Sequence, residues 1–126
     1  MVIIHDGVRP FVSVDLIERG IGLGAEHGAV VAAVPLTSTI KRVKNGMVAE
    51  TVDRSELWDI QTPQTFKYDL ILSAYEQAHA DGFKATDDAM MVERLGKSVS
   101  VLQGDKQNIK ITTEEDLEFA KLLLDR

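Results

Sequence analysis

Thr37-Ser38-Thr39-Ile40-Lys41-Arg42-Val43-Lys44-Asn45-Gly46-Met47-Val48-Ala49-Glu50-Thr51-Val52-Asp53-Arg54-Ser55-Glu56-Leu57-Trp58-Asp59-Ile60-Gln61-Thr62-Pro63-Gln64 is the stretch on which the reading of this chain turns. Asn45-Gly46 accepts the positive φ angles of a tight hairpin turn, and Ile40, Val43, Val48 and Val52 supply β-branched residues on either side of it. A two-stranded hairpin has two open edges and is marginal in water by itself. This arm, at about residues 37–58, is therefore expected to lean on the body of the protein or on a second copy of the chain. Beyond it stand Arg54, which in isolation reads as an ordinary surface arginine, and Trp58, which reads as core or interface packing.

Outside this stretch, strand and helix patterns alternate. Val2-Ile3-Ile4 reads as a short buried strand emptying into the loop His5-Asp6-Gly7. Ser13 caps a helix from Val14 to about His27, stopped by Gly28. Ala29 to Val34 is continuously apolar, as a strand covered on both faces should be, and Pro35 ends it. Lys67 to about Ala80 carries Leu70, Ile71, Ala74 and Ala78 at helical spacing. Thr86-Asp87-Asp88 caps a helix through Leu95 that Gly96 closes. Val99 to Leu102 reads as a strand, Ile109 to Ile111 as a shorter one, and Thr113 opens a capping box before a helix through Leu124. This alternation predicts an α/β layered sheet, largely parallel, with the hairpin as an excursion.

Composition narrows the function. At 126 residues, 44% of them apolar and 27% charged, the chain fits one globular domain with a sizeable core. No run of about 18 apolar residues exists, so no membrane span is expected, and no signal-peptide pattern opens the sequence; the cytoplasm is the expected location. With no cysteine there is neither a disulfide framework nor a thiolate nucleophile. A net charge of −6 argues against nucleic acid as a partner, so any anionic ligand must be met by a local cluster of Arg and Lys.

Gly20-Ile21-Gly22-Leu23-Gly24-Ala25 has the spacing of a dinucleotide fingerprint in the wrong context, late in a helical pattern with no strand ahead; close helix packing accounts for it better. His5, His27 and His79 lack the spacing of a helical zinc pair, and no ligand set for a metal is legible. Asp6 and Arg9 follow a strand directly, where open α/β sheets bind ligands: Asp6 suits a metal or a substrate hydroxyl, Arg9 a phosphate. The alternative is a simple turn with Arg9 as a solvated charge. Thr86-Asp87-Asp88 is explained by capping alone, yet the same amides suit an anion. Lys110, between Ile109 and Ile111, is either a site cation or a residue on a solvent face.

Several of these fragments stand in a telling order: His5-Asp6-Gly7-Val8-Arg9-Pro10, Thr39-Ile40-Lys41-Arg42, Thr51-Val52-Asp53-Arg54, Leu57-Trp58, Thr62-Pro63-Gln64, Thr86-Asp87-Asp88 and Asn108-Ile109-Lys110-Ile111-Thr112. Together, over essentially the whole chain, they resemble the second half of the 2-C-methyl-D-erythritol 4-phosphate cytidylyltransferase family of the non-mevalonate isoprenoid pathway. The resemblance implies part of a Rossmann-like nucleotidyltransferase sheet with a protruding β-hairpin arm that hooks around the partner in a homodimer. It implies attack of the methylerythritol phosphate on the α-phosphorus of CTP. Pyrophosphate would leave with Mg2+, held mainly through the nucleotide's phosphates. By motif, Asp6 would contact sugar hydroxyls with Arg9 beside them. Thr62 and Thr86 would line the acceptor pocket, and Lys110 would meet the reacting phosphates. Thr39 and Arg54 would reach the acceptor phosphate of the other subunit, which places the catalytic weight on Arg54 and Lys110.

The resemblance also implies a preceding nucleotide-binding half of roughly a hundred residues. On that expectation the 126 residues act as a fragment, inactive alone and binding CTP poorly, with Val2 to Ile4 and Ala29 to Val34 short of neighbouring strands. Ribitol 5-phosphate cytidylyltransferase shares the His-Asp-x-x-Arg-Pro and Thr-Pro-Gln motifs, and Thr51-Val52-Asp53-Arg54 favours the methylerythritol enzyme over it. A non-catalytic dimerisation module is the remaining alternative.

Overall fold

Ala29 to Val34 is a run of six small or β-branched apolar residues, and it lies at the centre of the molecule with every one of them buried. The computed structural model describes residues 1–126. In chain order the elements are β1 (Val2–Ile4), α1 (Val14–His27), β2 (Ala29–Pro35), β3 (Ile40–Lys44), β4 (Met47–Val52), β5 (Trp58–Phe66), α2 (Tyr68–Ala80), α3 (Asp88–Arg94), β6 (Ser100–Gln103) and α4 (Glu114–Leu124). Four strands form one sheet in the order β1-β5-β2-β6.

Alternation along β2 divides the core. Val30 and Ala32 pack with Leu16 of α1 and Leu102 of β6 on one face, while Ala29 and Val31 join Phe66, Ile71, Ala74, Ala78 and Val92 under α2 and α3 on the other. Each fully buried valine, leucine or isoleucine stabilises by about 1.5–3 kcal/mol. The helix caps form as the sequence predicts: Ser13 accepts from the Leu16 amide, Asp87 from the Met90 amide, and Thr113 and Asp116 make a reciprocal capping box. Gly20 and Gly24 are buried in α1 where it crosses β5; a Cβ on Gly20 would stand 3.1 Å from Thr65 Oγ1, and one on Gly24 3.0 Å from Thr65 Cγ2. The glycines let the helix sit close to the sheet, as their context suggested.

The largely parallel sheet is not what forms. β5 runs antiparallel to both β1 and β2, and only β2 with β6 is parallel. The cause is β5 itself, a nine-residue strand through Thr62-Pro63-Gln64. Proline, lacking an N–H, argues against an internal strand. Here it is tolerated because the β2–β5 register breaks between Val31 and Ala33, and the β1 pairing ends at Gln64. The bulge absorbs Pro63 and re-aims the neighbouring side chains.

Smaller expectations also change. β2 is flanked on both sides, by β5 and β6, so it is no open edge. β1 is an edge strand, half-buried, with Ile3 40% exposed. Ile109 to Ile111 forms no strand of the sheet, because its backbone bonds elsewhere: the Ile111 amide donates to Val8 O at 2.9 Å. Of the two readings of Trp58, core packing falls away, since the residue is surface-exposed at the start of β5.

β3 and β4 stand apart as a two-stranded sheet joined by Asn45 (φ 51°) and Gly46 (φ 76°), the paired positive angles of a hairpin turn. Nearly all of this arm is exposed, Val43, Met47 and Val48 included. Cross-strand contacts hold it: Arg42 Nε to Glu50 Oε1 at 2.7 Å and Lys41 Nζ to Thr51 Oγ1 at 2.8 Å. No helix is long and apolar enough to cross a membrane.

Candidate functional site

Three loops converge on β5, and three β5 side chains fasten them. Thr62 holds the loop after β1, its Oγ1 accepting from the Asp6 amide at 3.0 Å and lying 2.9 Å from His5 Nδ1. Gln64, buried, holds the loop before α3: its Nε2 donates to Asp87 Oδ2 at 3.0 Å and its Oε1 accepts from the Ala89 amide at 3.1 Å. Gln61, also buried, holds the loop after β6 by donating Nε2 to Asp105 O at 2.9 Å. Asn108, fully buried, completes that latch with Nδ2 donating to Thr62 O at 2.8 Å, while its Oδ1 has no partner. Buried amides fixed in this way rigidify what they hold, because an unmade bond there costs about 1–3 kcal/mol.

The loops bring charge together. Asp6 Oδ2 lies 3.5 Å from Arg9 Nε and 3.3 Å from Lys110 Nζ, so one carboxylate carries two cations. Arg9 also donates Nη1 to Asn108 O at 2.7 Å, and its side chain is only 12% exposed. It is therefore a fixed wall of the site and not the solvated charge of a simple turn. Of Thr86-Asp87-Asp88, Asp87 is the helix cap, as its position before α3 suggested. Asp88 accepts from the Tyr75 hydroxyl, and this hydrogen bond, followed by desolvation, pushes the phenol up to about 12. Thr86 makes only a 3.5 Å contact to Met90 Sδ, which leaves its hydroxyl available.

Asp6, Arg9, Thr62, Thr86 and Lys110 line one cleft of about 400 Å³. A second, of about 540 Å³, adjoins it through Arg9, Asp59, Gln61 and Lys110 and reaches Thr37 and Ser38 at the base of the arm. Thr39 and Arg54 line neither. Arg54 is exposed and closes the arm's base, donating Nη1 to Thr37 O at 2.7 Å. Beside it, the Ser55 amide and hydroxyl hold the exposed Asp53 carboxyl below its ordinary range.

Sequence reasoning missed Asp59, Gln61 and Gln64 as site residues, and gave Asn108 no role. Apolar–polar alternation over Trp58-Asp59-Ile60-Gln61 was the available signal for Asp59 and Gln61, while Gln64 falls outside that register. The first cleft sets four carboxylates, Asp6, Asp59, Asp87 and Asp88, against two cations, Arg9 and Lys110. That balance suits hydroxyl groups; a phosphate entering it needs further positive charge. No group of three acidic or histidine side chains is placed to hold a metal ion.

A family model described as IspD, 2-C-methyl-D-erythritol 4-phosphate cytidylyltransferase, matches residues 1–126. The protein of that name from Clostridioides difficile (strain 630) is 50% identical over 124 residues, covering 98% of this chain and 52% of its own length. That from Geotalea uraniireducens (strain Rf4) is 51% identical over 125 residues, covering 98% and 53%. Among solved structures, 2-C-methyl-D-erythritol 4-phosphate cytidylyltransferase from Thermus thermophilus superposes with a TM-score of 0.92 at 33% identity, covering 98% of this chain and 61% of that one. 4-diphosphocytidyl-2C-methyl-D-erythritol synthase from Anaerococcus prevotii does so with 0.88 at 39% identity, covering 98% and 58%. The chain thus spans about half the length of the curated relatives it matches.

Proposed function

This chain belongs to the 2-C-methyl-D-erythritol 4-phosphate cytidylyltransferase family, and we propose that it supplies the acceptor site and dimer arm for cytidylyl transfer from CTP to 2-C-methyl-D-erythritol 4-phosphate. A phosphate oxygen of the acceptor bonds to the α-phosphorus of CTP. The bond from that phosphorus to the bridging oxygen of the β-phosphate breaks, and pyrophosphate leaves. Transfer of this kind asks for positioning and charge neutralisation and not for a covalent nucleophile.

The observation that carries the reading is the convergence of Asp6, Arg9, Thr62, Thr86 and Lys110 on one cleft. Asp6, Thr62 and Thr86 offer oxygens to the polyol hydroxyls. Arg9 braces Asp6, and Lys110, on the rim and half exposed, meets the phosphate at which charge develops. Because carboxylates outnumber cations in the cleft, the acceptor phosphate needs charge from elsewhere. In this reading the arm of a second copy brings Arg54 and Thr39 to it, which makes the chain work as a homodimer. Mg2+, an oxygen-seeking ion commonly held through substrate phosphates, comes with the nucleotide. The cleft carboxylates do not form a closed site for it, since Asp6 is tied to Arg9 and Lys110, Asp87 to the helix cap and Asp88 to Tyr75.

Pyrophosphate release from CTP and methylerythritol phosphate with magnesium tests this, using the chain alone and the chain mixed with a separately supplied nucleotide-binding half. Silence alone and turnover on mixing are expected. Arg54→Ala and Lys110→Ala should each lower the reconstituted rate about a hundredfold or more, the scale of losing one charge-stabilising group. Unchanged turnover in both variants would sink the proposal. Ribitol 5-phosphate, offered side by side, should be the poorer acceptor.

A further inference from the structure

His5 is half-buried beside the cleft, and both of its ring nitrogens are engaged. Nε2 lies 2.9 Å from the carbonyl oxygen of Arg9, and Nδ1 lies 2.9 Å from Thr62 Oγ1. A carbonyl oxygen can only accept, so Nε2 must carry the proton, and in the neutral ring Nδ1 is then bare. A bare Nδ1 can only accept, which commits the Thr62 hydroxyl proton to His5. Thr62 Oγ1 also accepts from the Asp6 amide at 3.0 Å. A hydroxyl oxygen has two lone pairs, and one is left.

We infer that His5 is a positioning residue that turns the Thr62 hydroxyl proton away from the cleft, so that Thr62 meets its ligand only as a hydrogen-bond acceptor. The group it selects is a donor, an alcohol O–H of a polyol phosphate; a deprotonated phosphate oxygen, which can only accept, is turned away from this position. In the acceptor, then, a hydroxyl and not the phosphate meets Thr62, and the phosphate is left to the cation Lys110, whose Nζ lies 3.3 Å from Asp6 Oδ2. This inference rests on the acceptor-site reading above and adds to it which group of the acceptor meets Thr62.

The ring can be read without any ligand. In the chain labelled with nitrogen-15 at its three histidines, the signals of His5 are identified by their loss in His5→Gln. Recorded well above the ordinary histidine value of about 6.5, they should report a proton on Nε2 and none on Nδ1. A proton on Nδ1, or an even mixture of the two forms, overturns the inference.

Binding supplies the second readout, with inorganic phosphate and methylerythritol phosphate as probes. His5→Asn keeps an acceptor near the Nδ1 position and should retain the preference for the polyol phosphate. His5→Gln reaches the Arg9 carbonyl but leaves the Thr62 hydroxyl free to rotate. It should cut the affinity ratio of the polyol phosphate over phosphate by about tenfold, the worth of one hydrogen bond near 1.4 kcal/mol. An equal loss in both variants means His5 acts only through the loop, and a loss in neither means it does not set the preference; either overturns the inference. If the unaltered chain binds phosphate and shows no preference for the polyol phosphate, the acceptor-site reading fails as well. The nitrogen signals then decide the ring's proton on their own.

Discussion

Tyr75 donates its hydroxyl proton to Asp88, a cleft residue that would otherwise face any ligand as a free carboxylate. The hydrogen bond is the main reason the phenol rises from its ordinary 10.0 to about 12. A folded-state value above the unfolded one stabilises the protein fully below about pH 10, and this contribution is lost as the pH climbs through 12. Tyr75 is 44% exposed, so solvent screening holds the effect to about 1 kcal/mol or less. Absorbance titration of the two tyrosines should find one ionising late. Tyr75→Phe should remove that component and Asp88→Asn should bring it down; a late component surviving Tyr75→Phe would refute the assignment. At this scale the sequence exposed the charged members of the site, Asp6, Arg9 and Lys110, because each stood out against an apolar neighbour. It hid the neutral ones. Gln61, Gln64 and Asn108 look like ordinary polar residues until their burial is known, and burial belongs to the fold.

Elements decide which of these residues meet, and β5 is the decisive one. It is the middle partner of β1 and β2, and its side chains Gln61, Thr62 and Gln64 each fasten a different loop. The loop carrying Lys110 starts at Gly104, whose amide donates to Ala33 O at 2.8 Å. A Cβ on Gly104 would stand 2.5 Å from Gln61 Oε1 and 3.2 Å from Ala33 O, so either the latch or the β2 backbone would have to move. Gly104→Ala should therefore cost about 1–3 kcal/mol in urea unfolding and weaken phosphate binding at the cleft. Gly22→Ala is the matched control, since nothing lies within 4 Å of its added Cβ. That change should be neutral or stabilise by about 0.4–1 kcal/mol, and equal destabilisation of the two variants would exclude the latch. Helices α1 to α4 were legible from periodicity and caps, which are local. β5 was not, because a proline in mid-strand is acceptable only where the partner's register breaks, and a register involves two strands distant in sequence.

On the scale of the molecule, the arm is set apart from the sheet and packs chiefly on itself. Replacing residues 38–56 by a short Gly/Ser linker should leave the melting temperature within a few degrees, a change of about 1 kcal/mol or less. If the arm pairs two copies as proposed above, the same deletion should convert a dimer into a monomer in sedimentation. A dimer that persists would place the interface elsewhere, and a collapse of thermal stability would make the arm part of the core. The hairpin turn, the buried run of β2, the helix caps and the ordered motifs that mark the family were determined by the sequence alone, since propensity, turn chemistry and apolar runs act over a few neighbouring residues. The antiparallel placement of β5, the loss of the expected strand at Ile109 to Ile111, and the gathering of residues as distant as Asp6 and Lys110 around one cleft were decided only by tertiary structure. Those outcomes depend on which backbone and amide groups find partners across long loops, and only the packed sheet supplies the partners.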